Sequence, residues 1–202
     1  GIVRRFAIIL FSPLASIVLG GEPQQSARVS LEAIPVAHLS FGSLVIFLER
    51  TTLPDLQNSV GRGLIYNNGR HAHDGGGSEL CFAWAGGIVR LTSNGEFGGT
   101  EQTVTDFTVE ASPTIPSQCS LLPVQLLPVR VGGWLQLGDS RARVESHLES
   151  SLGRKDKTVR YSFEGKTPNT CSDEGLDLGA SLDVTYISEK VTRLAGTQIS
   201  TC

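Results

Sequence analysis

The chain contains no methionine, and of its 202 residues only 6% are aromatic and 18% charged. It has no apolar run of about 20 residues, the length a helix needs to cross a bilayer, so no stable membrane anchor is expected. A Gly-x-Ser-x-Gly elbow is absent. Serines such as Ser43 and Ser78 have no recognisable base beside them, which argues against nucleophilic catalysis. Gly95 to Gly99 lacks the strand-then-helix setting of a phosphate loop and reads as a turn. None of the four cysteines stands in a Cys-x-x-Cys pair, the spacing that marks a structural zinc site. With no methionine present, Gly1 is not expected to be the natural start.

What is present begins with an export signal. Arg4 and Arg5 precede a 14-residue apolar block, Phe6 to Leu19, interrupted by Pro13 and followed by Gly20-Gly21-Glu22. A basic start, an apolar middle and a small-residue exit form a secretory signal peptide over residues 1–21, with secreted or periplasmic localisation. No cysteine follows the block to carry a lipid. Removing it changes the balance from 17 basic and 20 acidic residues to 15 and 20. A mildly acidic chain offers no basic face to nucleic acid or to an anionic membrane. Cys81, Cys119, Cys171 and Cys202 then become candidates for disulfides, with three connectivities open.

The remaining residues carry two similar runs of elements. Thr52-Leu-Pro-Asp55 opens a helix as an N-cap with proline in the first turn; Leu56 and Val60 lie on one face and Gly61 stops it. In the second half, Trp134-Leu-Gln-Leu137 leads through Asp139 and Ser140 into a helix with Val144, Leu148 and Leu152 at four-residue spacing, stopped by Gly153. Each helix is followed by an aromatic-bearing strand (63–67; 158–163), a loop, a cysteine and an alternating strand (88–92; 182–187). A turn and a last strand opening on Val-Thr at 104 or 191 complete the run. The fold expected is α+β, two tandem units, each a short helix packed on an antiparallel β-sheet. The units span 22–111, with an extra N-terminal strand, and 132–202. Residues 112–131 form a Pro-rich linker or edge strand. Under that repeat, symmetry pairs Cys81 with Cys119 and Cys171 with Cys202.

The phrase Leu135-Gln-Leu137-Gly-Asp139-Ser140, leading into Val144 and Leu148, resembles the small module of outer-membrane assembly lipoproteins. Tandem copies with a cystine in each resemble the secreted β-lactamase inhibitor proteins. The resemblance covers residues 133–200 and, more weakly, 42–110. It implies a layer of antiparallel sheet backed by helices, acting as a binding or scaffold module without catalysis or cofactor. Its partner would be another envelope or extracellular protein. The lipidated cysteine of the first family is missing, and the Tyr- and Trp-rich binding face of the second is thinly represented by Tyr66, Tyr161, Tyr186, Trp84 and Trp134.

One cluster carries the alternative. In Asn67-Asn-Gly-Arg70-His71-Ala-His73-Asp74, two histidines at i and i+2 face the same way on an extended chain. With Asp74 they form a candidate metal site, completed by His38 or Glu79. That reading makes the protein a small metal-dependent hydrolase. The glycines at 75–77 favour a plain hairpin loop instead. Ser172-Asp173-Glu174 with Asp177 lacks the oxygen spacing of a calcium loop and reads as a connection. His147 is placed on the helix surface.

Overall fold

The computed structural model describes residues 36–67, 77–94, 102–148, 151–155, 157–167 and 176–201. In chain order the elements are strands β1 (His38–Phe41) and β2 (Leu44–Phe47), helix α1 (Leu53–Val60), then β3 (Ile65–Asn67), β4 (Ser78–Trp84), β5 (Gly86–Ser93) and β6 (Asp106–Ser112). A short β7 (Ser120–Leu121), a single 3-10 turn over Val124–Leu126 and β8 (Val129–Val131) lead to helix α2 (Arg141–His147). Four strands close the chain: β9 (Ser151–Lys155), β10 (Thr158–Thr167), β11 (Leu176–Ile187) and β12 (Lys190–Thr201).

Period-two alternation builds the long strands. In β11 the residues Leu178, Ala180, Leu182, Val184 and Tyr186 are buried, while Ser181, Asp183 and Thr185 face the other way. Ser188 and Glu189, both with positive φ (50° and 59°), turn β11 directly into β12. A two-residue turn of that hand matches the twist of paired strands. The sheet order is β3-β4-β5-β6-β12-β11-β10-β9, antiparallel throughout, with β7 parallel to β4. The order reads outward from a seam at β6–β12, where Phe107 lies opposite Gly196 and Leu194 opposite Val109. A separate three-stranded sheet, β2-β1-β8, joins residues 38–47 to residues 129–131.

One face of the large sheet carries the core. Leu80, Phe82, Val89, Leu91, Phe107, Leu182, Val184 and Leu194 are 0–2% exposed and belong to one cluster with Leu39, Phe41, Ile46, Leu53 and Leu56. Phe41 meets Phe82 edge-on, 6.0 Å between ring centres. A cluster of this kind, at about 25 cal/mol per Å² of apolar surface removed from water, is the main driving force for the fold.

The expected α+β arrangement of two helix-on-sheet units is therefore corrected. Among the described residues 55% are in strands and 14% helical, with two short helices. The β6–β12 pairing merges both halves into one sheet, because it buries Phe107 and Leu194 together where separate units would leave two open edges.

The first helix forms as its sequence dictates. The Thr52 side chain accepts the Asp55 N–H at 3.1 Å, Pro54 occupies the first turn, and Gly61 takes the left-handed conformation (φ 74°). The second ends early. Leu148 is its extended C-cap, and Leu152 and Gly153, expected to complete it, belong to strand β9, with Gly153 opposite Arg160. Helical spacing of Leu148 and Leu152 is a local signal; the unpaired backbone edge of β10 is non-local and prevails. The start of the apolar run that leads to α2, Trp134 and Leu135, lies in a tight turn closed by Val131–Leu135 hydrogen bonds of 2.8 and 3.0 Å. The linker prolines behave as extended or turn residues. Pro123 precedes the 3-10 turn, and Leu127–Pro128 is a cis peptide leading into β8.

Candidate functional site

The opposite face of the large sheet is polar. Register places Arg90, Thr108, Ala195, Asp183 and Arg160 in one row across five strands, and Ile88, Glu110, Arg193, Thr185 and Thr158 in the next. The charges are matched within and between neighbouring rows of this face. Tyr66 Oη donates to Glu79, whose carboxylate lies 3.5 Å from Arg90 Nε. Arg90 Nη1 reaches Glu110 at 2.5 Å, and Arg193 Nε lies 3.9 Å from the same carboxylate. On the far side Arg160 forms a two-pronged bond to Asp183, at 2.7 and 2.6 Å. That bond raises the Arg160 pKa above its ordinary value. Each exposed pair adds little stability, about 0–1 kcal/mol. Together they hold long side chains in fixed positions, which lowers the entropy a partner must overcome on docking.

Cys81 and Cys119 are bonded, with Cα atoms 4.5 Å apart, as the sequence reading paired them. Their sulfurs centre a small apolar cluster on this face with Ala83 and Ile88, against which Tyr66 packs. The cystine ties the segment after residue 112 to β4, where Leu122 N donates to the Ala83 carbonyl at 2.8 Å. Cys171 and Cys202 lie outside the described residues.

His71, His73 and Asp74 also lie outside the described residues; the strands flanking them, β3 and β4, pair as a hairpin. The two residues proposed to complete that metal site are placed apart. His38 is in β1 of the smaller sheet, its ring 5.8 Å from that of Phe47. Glu79 is 4% exposed and engaged by Tyr66 and Arg90. Among the described residues no group of three or more His, Cys, Asp or Glu side chains is arranged to hold a metal ion. Ser43 is exposed at the β1–β2 turn, and Ser78 Oγ accepts from Gln102 Nε2 at 2.9 Å. Asp177 sits in β11 opposite Thr201, while Ser172 to Glu174 are outside the description. His147 is exposed, as expected, and stacks on Trp134 with ring centres 4.5 Å apart. Its Nδ1 donates to the Arg143 carbonyl at 2.9 Å.

Two polar arrangements were not legible in the sequence. Beneath α2, the Arg141 guanidinium bonds Glu145 at 2.7 Å and covers the Tyr186 ring at 5.2 Å. The Tyr186 hydroxyl and Arg141 Nη2 are buried without a hydrogen-bond partner. Burial, and then the neighbouring Tyr161 phenol, push the Tyr186 pKa well above the usual tyrosine value. Burial likewise raises Tyr161. Across the molecule, the Glu49 carboxylate accepts from Gln198 Nε2 at 2.9 Å and from Ser200 N and Oγ, both at 2.6 Å. The one sequence signal for the first was Arg141 and Glu145 at i and i+4. For the second there was none, because its partners are 149 and 151 residues apart.

These features define a mainly antiparallel β-protein with a cystine and a charge-matched open face. No protein-family model matches the chain, and neither a curated protein nor a solved structure is similar to it.

Proposed function

We propose that this chain is an exported, non-catalytic binding or scaffold protein of the cell envelope or extracellular space. Its working surface is the polar face of the large sheet, and its partner is another protein of that compartment. The observation that carries the reading is the charge-matched row structure of that face, from Tyr66 and Glu79 through Arg90, Glu110 and Arg193. Such a surface is pre-organised for a polar partner, and its charges are unsuited to contact with lipid. The Cys81–Cys119 cystine supports an oxidising compartment. No helix among the described residues is long and apolar enough to cross a membrane. A binding or scaffold role is also what the resemblance to envelope modules implies.

A photocrosslinking residue at Thr108 or Thr197, the middle of the face, tests this in the compartment of origin. A discrete protein adduct from these positions, absent when the crosslinker replaces Ser43, is expected. Equal labelling from all three positions counts against the face. Stoichiometric transition metal in the purified chain, lost in His71→Ala, would overturn the binding reading in favour of a metal-dependent hydrolase.

A further inference from the structure

Residues 113–122 run as a strap along β4. From Ala111 to Val129 the chain has no charged side chain, and Ile115, Leu121 and Val124 on it are exposed, at 51%, 54% and 80%. Between Ala111 and Leu122 only Cys119 and Leu122 are buried. The strap is bonded to β4 through the two residue pairs of β7, at Phe82 and Ala83, and through Leu122 N, which donates to the Ala83 carbonyl at 2.8 Å. Its other bonds are local: Ser112 Oγ donates to the Thr114 carbonyl and Cys119 N to the Pro116 carbonyl. By contrast β11 is paired on both sides, to β10 and to β12. The backbone entropy lost in ordering about ten residues outweighs so few contacts. What keeps the strap in place is the Cys81–Cys119 bond.

We propose that this bond is a redox latch: its reduction frees the strap from β4 while the rest of the large sheet stays folded, and so uncovers an apolar patch in the polar face. Under Cys119 lie Cys81, Ala83 and Ile88, all 0–2% exposed. Cys81 stands opposite Arg90, and Ile88 opposite Glu110, so the patch opens beside the charge chain. Resting on the reading of that face as the working surface, the latch regulates what the face accepts, because an apolar patch rimmed by polar groups takes a different partner from a wholly polar one. The reductant is a dithiol. One of its thiolates attacks the sulfur of Cys119, the less buried of the two at 9% exposed, and the electron pair of the S–S bond leaves on the Cys81 sulfur, which takes a proton from water. The second thiolate of the donor then displaces Cys119 from the mixed disulfide. Two electrons and two protons pass to the chain, and the donor becomes a disulfide.

Hydrogen exchange of the full chain, with and without dithiothreitol under native conditions, tests the proposal, with alkylation mapped to Cys81 and Cys119 to report reduction. The amides of Cys119 and Leu122 are expected to exchange at least tenfold faster in the reduced chain, while those of Val184 and Leu194 keep their rates. Cys81→Ala/Cys119→Ala should show the same fast strap without dithiothreitol and no further change with it. A reduced chain whose strap keeps its protection overturns the latch, as does one in which every strand loses protection together, or a bond that dithiothreitol leaves intact in the folded chain. The exchange readout needs no partner, so its failure is distinct from failure of the crosslinking at Thr108.

Discussion

Gly196 stands directly opposite Phe107 at the β6–β12 seam, so close that a Cβ on the glycine would lie 2.4 Å from the ring. The phenyl ring lies across the glycine at the β6–β12 junction between the two halves of the large sheet. Gly196→Ala should cost about 1–3 kcal/mol through overpacking. Urea titration measures it, and a second substitution, Phe107→Leu, should recover part of the loss. Simple addition of the two effects would mean that the residues are not coupled.

Glu49 ties the turn after β2 to the end of β12 through its bonds to Gln198 and Ser200. Hydrogen bonds to a charged group contribute about 1.5–3 kcal/mol. Glu49→Ala should therefore destabilise the fold by about 3 kcal/mol. It should also speed hydrogen exchange at the Ser200 amide more than at Leu194, near the sheet centre. Uniform acceleration would instead point to global unfolding.

The Cys81–Cys119 bond spans 38 residues. Closing a loop of that length restricts the unfolded chain by about 3–4 kcal/mol. Replacing both cysteines with alanine should lower the denaturation midpoint accordingly, and adding reductant to the wild type should reproduce the shift. A double variant as stable as the oxidised protein would show that the bond has no structural weight.

Tyr186 and Tyr161 bury their phenols side by side beneath α2, and burial favours the neutral form of both. The pH dependence has a definite sign. The folded-state pKa values of Tyr186 and Tyr161 lie above the ordinary tyrosine value of 10.0, so their contribution is fully present below pH 10.0. Above it the unfolded chain loses protons that the folded chain retains. Stability then falls with rising pH, by about 1.4 kcal/mol per unit for each tyrosine, until the folded pKa is passed. Denaturation midpoints between pH 9 and 11 check this, and Tyr186→Phe should make the slope shallower.

Much of the fold was legible wherever the deciding interactions are short in sequence. Thr52, Pro54 and Gly61 specify α1 because a cap, a first-turn proline and a left-handed glycine act within one or two helical turns. The alternation of β11 declares its buried face because a strand's side-chain period is two. The turn at Ser188 and Glu189 was visible as a break between two alternating runs. The extent of α2 was misread because Leu148 and Leu152 satisfy a helical spacing as well as a strand, and the need to pair β10 lies outside that window. Of the candidate site, the Cys81–Cys119 pairing was readable. The charge chain Glu79, Arg90, Glu110 and Arg193 was not, since it exists only across strands β4, β5, β6 and β12.

By itself the sequence determined the strands with strict alternation and the first helix with its caps. These depend on backbone conformation and side-chain period, which neighbouring residues control. Only the tertiary structure decided that β6 pairs with β12, that both halves share one sheet, and that its polar face carries a matched row of charges. Edge pairing and register are set by which hydrophobic faces can be buried together, a property of residues about 90 positions apart that no local pattern encodes.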